Sequence, residues 1–230
     1  EVGDGLGPGF VKDLELLPDG TLLAAGGFTS PESGQFRNLA RYSGGVWSGI
    51  GTAPNAWVYD IEVSPAGDIV AAGMFNSIGG VLAPGLARFD GTSWAALPGP
   101  PVSGPNYWTL EYLPDGDLIL GGDYSWGLGA AESYLARLSD GEWHPPAPGY
   151  STWGASVREG PAGELLVLTP GNFIGEERVN HMALWQEGRW TALSGGTNGT
   201  IDAMVVRPDG DLVVSGAFTM AGGSPASRIA

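Results

Sequence analysis

The chain contains no cysteine, two histidines and a single lysine, Lys12, among its 230 residues. The absence of cysteine excludes disulfides, thiolate nucleophiles and cysteine-ligated zinc. His144 and His181 lie far apart in the sequence and show none of the spacings that are typical of metal-binding histidines. The sequence therefore predicts no metal site and no cofactor.

Basic residues of either kind are scarce. Ten Lys and Arg stand against 25 Asp and Glu, which gives a formal net charge of −15. Such a chain repels phosphate backbones and anionic lipid headgroups. No apolar run approaches the roughly 20 residues that span a bilayer. We therefore expect no nucleic-acid partner and no membrane insertion.

Tryptophan recurs with a nearly fixed period. Trp47, Trp94, Trp143 and Trp190 are separated by 47, 49 and 47 residues. A Pro-x-Gly triplet keeps the same period and begins at Pro18, Pro65, Pro114, Pro161 and Pro208. A period of this length is typical of a repeat array, not of a single globular core.

Each repeat has the pattern of four short strands. In the second repeat, residues 58–64 and 68–73 flank the turn at Pro65, and residues 86–89 and 93–97 follow a longer loop. A four-stranded unit shields its faces and edges best when several units are arranged radially. The predicted fold is therefore an all-β propeller of four-stranded antiparallel blades, with about 47 residues per blade.

The repeats extend over the whole chain. One propeller domain, 1–230, is expected, with repeats around 11–57, 58–106, 107–153, 154–200 and 201–230 plus an N-terminal segment. Five blades are the first choice. The alternative is part of a larger six- to eight-bladed or longer array, because the last repeat is incomplete.

Small residues after the second strand, an aromatic residue in the third strand and a tryptophan five residues later form a repeated signature. Examples are Gly26-Gly27, Tyr42 with Trp47, and Phe89 with Trp94. The signature resembles kelch-like repeats of the bacterial cell-surface and fungal cortical-marker type. The resemblance implies a propeller that is secreted, periplasmic or displayed at a bacterial cell surface.

Two recurring residue types are interpreted as structural. The tryptophans Trp47, Trp94, Trp143 and Trp190 are expected to pack between adjacent blades. Arg41, Arg88 and Arg137 recur at one position of the third strand. They are expected to pair with carboxylates such as Asp13 or Asp60, or with backbone carbonyls of the next blade.

The fourth-to-first loops are rich in aromatic residues and contain several asparagines. Aromatic rings with polar neighbours suit the apolar C–H faces and hydroxyl rims of sugars, although such rings can equally fill the core. The candidate ligand-binding residues are Trp57, Trp108, Trp153, Tyr107, Tyr150, Asn55 and Asn106.

From these patterns we expect a non-enzymatic extracellular binding or interaction module. Its partner would be a carbohydrate or a protein, and the chain would be a monomer or part of a larger chain. No catalytic residue is assigned. One alternative is a glycan-acting hydrolase or lyase with two loop carboxylates roughly 5–9 Å apart. Its candidate acids are Glu32, Asp123, Glu132, Glu176 and Glu177. Another is a structural repeat segment of a larger surface protein.

Overall fold

A computed structural model describes residues 5–31, 34–100, 103–125, 135–144, 156–160, 164–174, 176–186, 189–207 and 209–230. All regular structure in these ranges is β-strand, and no helix capable of crossing a membrane is found in them. The chain divides into two compact units. Unit 1 comprises Glu1–Pro100 and Pro105–Tyr112, and unit 2 comprises Pro101–Gly104 and Leu113–Ala230. The prediction of a single domain stays a prediction.

The first unit contains two four-stranded antiparallel sheets and a small hairpin. Its strands are β1 Gly9–Leu16, β2 Leu22–Thr29, β3 Arg37–Ser43, β4 Val46–Ser48, β5 Val58–Val63, β6 Ile69–Gly73, β7 Ser77–Ile78, β8 Val81–Leu82, β9 Leu86–Phe89 and β10 Trp94–Ala96. The first sheet has the order β1-β2-β3-β4, and the second has the order β5-β6-β9-β10. Strands β7 and β8 form the hairpin within the long loop of the second repeat.

Strand β11, Ser103–Tyr112, is the first strand of a third four-stranded sheet. The later strands are β12 Leu118–Ser125, β13 Leu135–Ser139, β14 Glu142–His144, β15 Ser156–Glu159, β16 Leu165–Leu168, β17 Phe173–Ile174, β18 Glu177–Arg178, β19 Met182–Gln186, β20 Arg189–Ala192, β21 Ile201–Val206, β22 Leu212–Gly216, β23 Met220–Ala221 and β24 Ser224–Pro225. The third sheet has the order β11-β12-β13-β14 and the fourth has the order β15-β16-β19-β20. In the fifth repeat β21 pairs with β22, and Ile229 forms a bridge with Ser215 at the position of a third strand.

The described glycines of four Pro-x-Gly triplets lie in the turns that join first strands to second strands. The amides of Gly20, Gly67, Gly116 and Gly210 each donate to the carbonyl three residues earlier, at 2.8–2.9 Å. The φ angles of these glycines are 85–90°. Glycine adopts this left-handed conformation without the steric cost that a side chain imposes. The regular turn sequence therefore has a direct backbone cause.

A glycine at the end of the second strand lets the chain approach closely where it enters the first strand. A Cβ atom on Gly26 would lie 2.1 Å from the carbonyl oxygen of Phe10, and one on Gly73 would lie 2.3 Å from that of Trp57. Gly216 has the same relationship to Thr200, at 2.2 Å. The small residues of the repeat signature are thus required by backbone contact within each sheet.

The recurring tryptophans lie on the fourth strands, and three of them face an aromatic ring of the third strand. The pairs Tyr42–Trp47, Phe89–Trp94 and Trp185–Trp190 have ring centroids 5.0–5.2 Å apart. Trp94 also contacts the preceding repeat, because its indole Nε1 donates to the carbonyl of Ile50 at 2.8 Å. For Trp94, therefore, contact across the boundary between repeats is observed directly.

The recurring arginines have partners other than those expected. Arg88 forms an ion pair with Asp68 at 2.7 Å, and Arg137 pairs with Asp115 at 2.7 Å and with Asp117. These aspartates belong to the Pro-x-Gly turn and the start of the second strand, which is the neighbour of the third strand in the sheet. In the first repeat, Thr21 stands where the second repeat has Asp68. The Nε of Arg41 contacts Ser48 Oγ at 3.4 Å.

Asp13 and Asp60 join consecutive first strands instead. Asp13 Oδ2 accepts a hydrogen bond from the backbone amide of Ile61 at 3.1 Å. Asp60 is buried, and its Oδ2 accepts from the amide of Leu110 at 2.7 Å. A buried carboxylate is tolerated when backbone donors satisfy it. These aspartates are therefore used in packing one repeat against the next.

Candidate functional site

A β-bulge interrupts the first strand at the same place in three repeats. The register shifts between Val11 and Asp13, between Val58 and Asp60, and between Ile201 and Ala203. The extra residues are Lys12, Tyr59 and Asp202. A bulge leaves one residue unpaired and can change the direction of its side chain. In the second repeat this residue is Tyr59.

Four aromatic side chains from three consecutive first-strand regions form one cluster in unit 1. We name Phe10, Trp57, Tyr59 and Trp108 the inner-strand aromatic surface. Phe10 meets Trp57 edge to face with ring centroids 5.2 Å apart, and Trp57 meets Tyr59 edge to face at 6.3 Å. Tyr59 stacks on Trp108 at 4.8 Å, with an angle of 23° between the rings. The contacts connect all four rings in a continuous series.

This surface is open to solvent although its members contact each other. The exposed fractions are 39% for Phe10, 46% for Trp57 and 37% for Trp108, whereas Tyr59 is 9% exposed. Burial raises the pKa of the Tyr59 hydroxyl, and that hydroxyl contacts Met74 Sδ at 3.0 Å. Three rings therefore offer apolar area to a ligand, and the buried Tyr59 contacts two of them, Trp57 and Trp108.

The glycine doublet of the first repeat makes room for two of these rings. A Cβ atom on Gly27 would lie 2.7 Å from the Phe10 ring and 2.9 Å from Cδ1 of Trp57. Any larger residue at this position would displace at least one ring. Gly27 thus positions the aromatic surface.

The other predicted ligand residues have varied surroundings. Tyr107 is buried, and Asn106 is partly buried. Asn55 Oδ1 accepts hydrogen bonds from the amides of Asn76 and Ser77 at 2.8 and 3.1 Å, so it holds the loop before β7. Tyr150 and Trp153 lie outside the described residues. The ligand-binding role of the whole set stays a prediction.

The carboxylates proposed for the hydrolase or lyase alternative are mostly outside the described part of the chain. Glu32, Glu132 and the side chain of Asp123 fall there. Glu176 and Glu177 are exposed in unit 2, at the β17–β18 hairpin. Within the described ranges, no three His, Asp or Glu side chains converge in a way that could hold a metal ion.

Sequence reasoning missed Tyr59 and its neighbour Met74, and it assigned no role to Lys12. Tyr59 lies in a first-strand pattern that also fits a core position, and no motif in the sequence indicates the bulge at this residue. Lys12 occupies the equivalent position one repeat earlier, and its side chain is exposed. When the repeats are aligned on the prolines of their Pro-x-Gly triplets, Lys12, Tyr59 and Trp108 occupy the same position, six residues before the proline.

The comparisons with known proteins agree with the all-β fold described above. The family model of a β-propeller domain of unknown function matches residues 207–230. No curated protein matches the chain. Similar solved structures include a catalytically inactive virginiamycin B lyase from Staphylococcus aureus with quinupristin, which is 14% identical with a TM-score of 0.57, covering 92% of this chain and 64% of that one.

Two further structures are a gluconolactonase from Xanthomonas campestris and a protein of unknown function from Dyadobacter fermentans. The gluconolactonase is 15% identical with a TM-score of 0.56, covering 90% of this chain and 69% of that one. The Dyadobacter protein is 17% identical with a TM-score of 0.59, covering 93% and 76%. The chain spans less than two thirds of the length of the virginiamycin B lyase structure.

The fold is a β-propeller. The prediction of an all-β propeller of four-stranded antiparallel blades is confirmed. The number of blades stays a prediction.

The main functional expectation, a non-enzymatic binding module, is corrected. The solved structures that share the fold include a lyase and a gluconolactonase, at 14% and 15% identity, so the fold itself gives no ground for excluding an enzyme. The expectation rested on the scarcity of histidine and on carboxylates that the sequence could not place. Repeat residues mainly encode how blades pack, and the same packing supports many activities.

Proposed function

We propose that this β-propeller is a hydrolase or lyase that acts on a carbohydrate-derived ring, bound at the inner-strand aromatic surface. The observation that carries the proposal is the series of contacting rings Phe10, Trp57, Tyr59 and Trp108, three of which are substantially exposed. Sugar rings and their lactones have apolar C–H faces that pack against aromatic rings.

Cleavage, as opposed to binding alone, is supported by two of the similar structures. One is named as a lyase and another as a gluconolactonase, and both share the fold at low identity. A sugar lactone is a cyclic ester, so attack on its carbonyl develops negative charge on oxygen. Positioned positive charge near that oxygen lowers the barrier.

Lys12 is the candidate for that charge. It is the extra residue of the β1 bulge, the position that Tyr59 occupies in the neighbouring β5. Asp13, which follows Lys12, hydrogen-bonds to the amide of Ile61 in β5, so the two bulges belong to adjacent strands. Lys12 therefore places a cation at the repeat position that Tyr59 and Trp108 occupy in the next two repeats.

The test is a screen for catalysed bond cleavage. D-glucono-δ-lactone, other sugar lactones, aryl glycosides and uronate-containing glycans would be followed by acid release, aryl alcohol release and the absorbance of a new carbon–carbon double bond. We expect at least one class to be cleaved faster than in buffer, and Lys12→Met to slow that cleavage. A matched control is Arg189→Gln, which removes an exposed cation from unit 2.

Lack of acceleration for every class would reject the proposed function. Equal rates for Lys12→Met and wild type on an accepted substrate would reject the role of Lys12 alone. These two outcomes can be distinguished because the second requires a measurable wild-type activity.

We further propose that the repeats are of the kelch-like cell-surface type and that the protein acts outside the cytoplasm. The glycine doublet at Gly26, the paired third-strand aromatic and fourth-strand tryptophan, and the acidic, lysine-poor composition support this location. Fractionation of the source cells, with immunodetection of the native protein, tests it. Recovery only in the cytoplasmic fraction would reject it.

A further inference from the structure

A polar cleft of about 350 Å³ lies in unit 2. Its lining residues are distant in the sequence from those of the inner-strand aromatic surface. It is bordered by the β17–β18 hairpin, the loop before β21 and the β23–β24 hairpin. We name it the amide cleft because asparagines dominate its lining. Besides three glycines, the described lining residues are Asn172, Arg178, Asn180, Thr197, Asn198 and Met220.

Arg178 is held so that the outer edge of its guanidinium group stays available. Its Nε donates to Asn180 Oδ1 at 2.9 Å, and the side chain is exposed. Among the described residues, no carboxylate lies within ion-pair distance of Arg178. A guanidinium whose Nε is occupied still presents its two terminal nitrogens, which match the two oxygens of a carboxylate.

Asn180 fixes this arrangement to the floor of the cleft. Its Nδ2 donates to the carbonyl of Gly195 at 2.9 Å, and its own carbonyl accepts from the amide of Thr197 at 2.8 Å. A Cβ atom on Gly196 would lie 2.2 Å from the carbonyl oxygen of Asn180. Asn180, which accepts the hydrogen bond from Arg178, is therefore tightly packed in place before a ligand binds.

The opposite wall is also preorganised. Asn198 Oδ1 accepts from the amides of Thr219 and Met220, both at 2.9 Å, and its Nδ2 donates to Thr219 Oγ1 at 2.9 Å. An amide nitrogen has two hydrogens, so one donor of Asn198 remains for a ligand. Met220 is exposed beside it and adds a small apolar contact.

We infer that the amide cleft binds a carboxylated monosaccharide, a uronic or aldonic acid. The carboxylate would pair with the terminal nitrogens of Arg178, the asparagine amides would bind hydroxyl groups, and Met220 would contact a C–H face. The volume lies within the roughly 300–1,000 Å³ of small-molecule sites. Glu177 pairs with Ile174, whereas Arg178 pairs with Phe173. Successive strand residues point to opposite faces, which directs Glu177 away from the cleft.

The inference stands independently of the proposed function, because it rests on residues of unit 2 alone. The experiment is isothermal titration of the whole chain with D-glucuronate, D-glucose and inorganic phosphate, at low salt. We expect glucuronate to bind at least tenfold more tightly than glucose or phosphate, because only glucuronate satisfies both the arginine and the amides. Added salt would weaken the binding of glucuronate.

The variant Arg178→Gln should lower glucuronate affinity at least tenfold, and Arg189→Gln, an exposed arginine in the same unit, should leave it unchanged. Circular dichroism and thermal unfolding would check folding. Arg178→Lys, which keeps the charge but loses the planar fork, provides a second variant and should bind with intermediate affinity. Absence of glucuronate binding, equal binding of glucose or phosphate, or unchanged affinity in Arg178→Gln would overturn the inference.

Discussion

The ring of Tyr59 stacks on that of Trp108, with centroids 4.8 Å apart and an interplanar angle of 23°. Both residues stand six positions before the proline of a Pro-x-Gly turn, in consecutive repeats. Repetition of the first strand brings equivalent side chains together, so an aromatic surface needs only aromatic residues at equivalent positions. The same geometry assigns Lys12 to the preceding position of the series.

Gly79 should be far less tolerant of alanine than its neighbour Gly80. Both have a positive φ, 62° and 82°, but a Cβ on Gly79 would lie 2.5 Å from side-chain atoms of Trp94, whereas nothing lies within 4 Å of one on Gly80. We expect Gly80→Ala to lower the free energy of unfolding by about 1 kcal/mol, and Gly79→Ala by about 2 kcal/mol more. Urea unfolding would measure both. Equal losses would mean that Trp94 moves without cost.

Asp60→Ala should destabilise the first unit. Asp60 is buried, and its two carboxylate oxygens accept from the amides of Ile61 and Leu110 at 3.0 and 2.7 Å. The variant removes this acceptor from the amide of Leu110, whereas the amide of Ile61 still donates to Asp13, and the loss costs about 1–3 kcal/mol. The control is Asp202→Ala, because Asp202 is an exposed aspartate of β21. A free energy of unfolding that is the same in both variants would contradict the packing role of Asp60.

The free energy of unfolding should fall at high pH because of the buried Tyr107. Burial raises the pKa of its hydroxyl from 10.0 to about 12. Between these values the unfolded chain has lost the proton and the folded chain retains it, so stability is fully present below pH 10 and falls as the pH rises toward 12. The expected slope is at most about 1.4 kcal/mol per pH unit.

Urea midpoints measured from pH 9 to 11 on the whole chain, roughly spanning an ordinary tyrosine pKa, would test this slope. Tyr107→Phe should reduce the slope, because phenylalanine does not titrate. A pH dependence that is identical in wild type and Tyr107→Phe would contradict the account, since it would assign the loss to other groups.

Much of the fold could be predicted from the sequence because its signals are local. The described Pro-x-Gly glycines share one backbone conformation, and the first-strand segment at residues 58–63 alternates well enough to indicate a strand. The two-residue strands β7, β17 and β23 were not predicted, because two residues cannot establish a period. The arginine partners also differed from expectation. Asp68 begins the predicted second strand at residues 68–73, and the sheet order brings it beside Arg88, as it brings Asp117 beside Arg137.

The site was only partly predictable for a different reason. Trp57 and Trp108 were candidates as aromatic loop residues, and the structure brings both into contact with Tyr59. Tyr59 itself is displaced from the strand alternation by a bulge, and the contact with Met74 joins residues 15 positions apart. The role of Arg178 depends on a hydrogen bond to Asn180 that composition cannot indicate.

The measurement that tests the central claim most directly is the steady-state kinetics of Trp108→Ala on the best substrate of the screen, with Phe173→Ala as control. Phe173 is an exposed aromatic residue of unit 2. We predict that Trp108→Ala raises KM about tenfold, equivalent to about 1.4 kcal/mol of lost binding, with a smaller change in kcat. Phe173→Ala should match wild type. Unchanged kinetics in a folded Trp108→Ala protein would contradict a substrate site at the inner-strand aromatic surface.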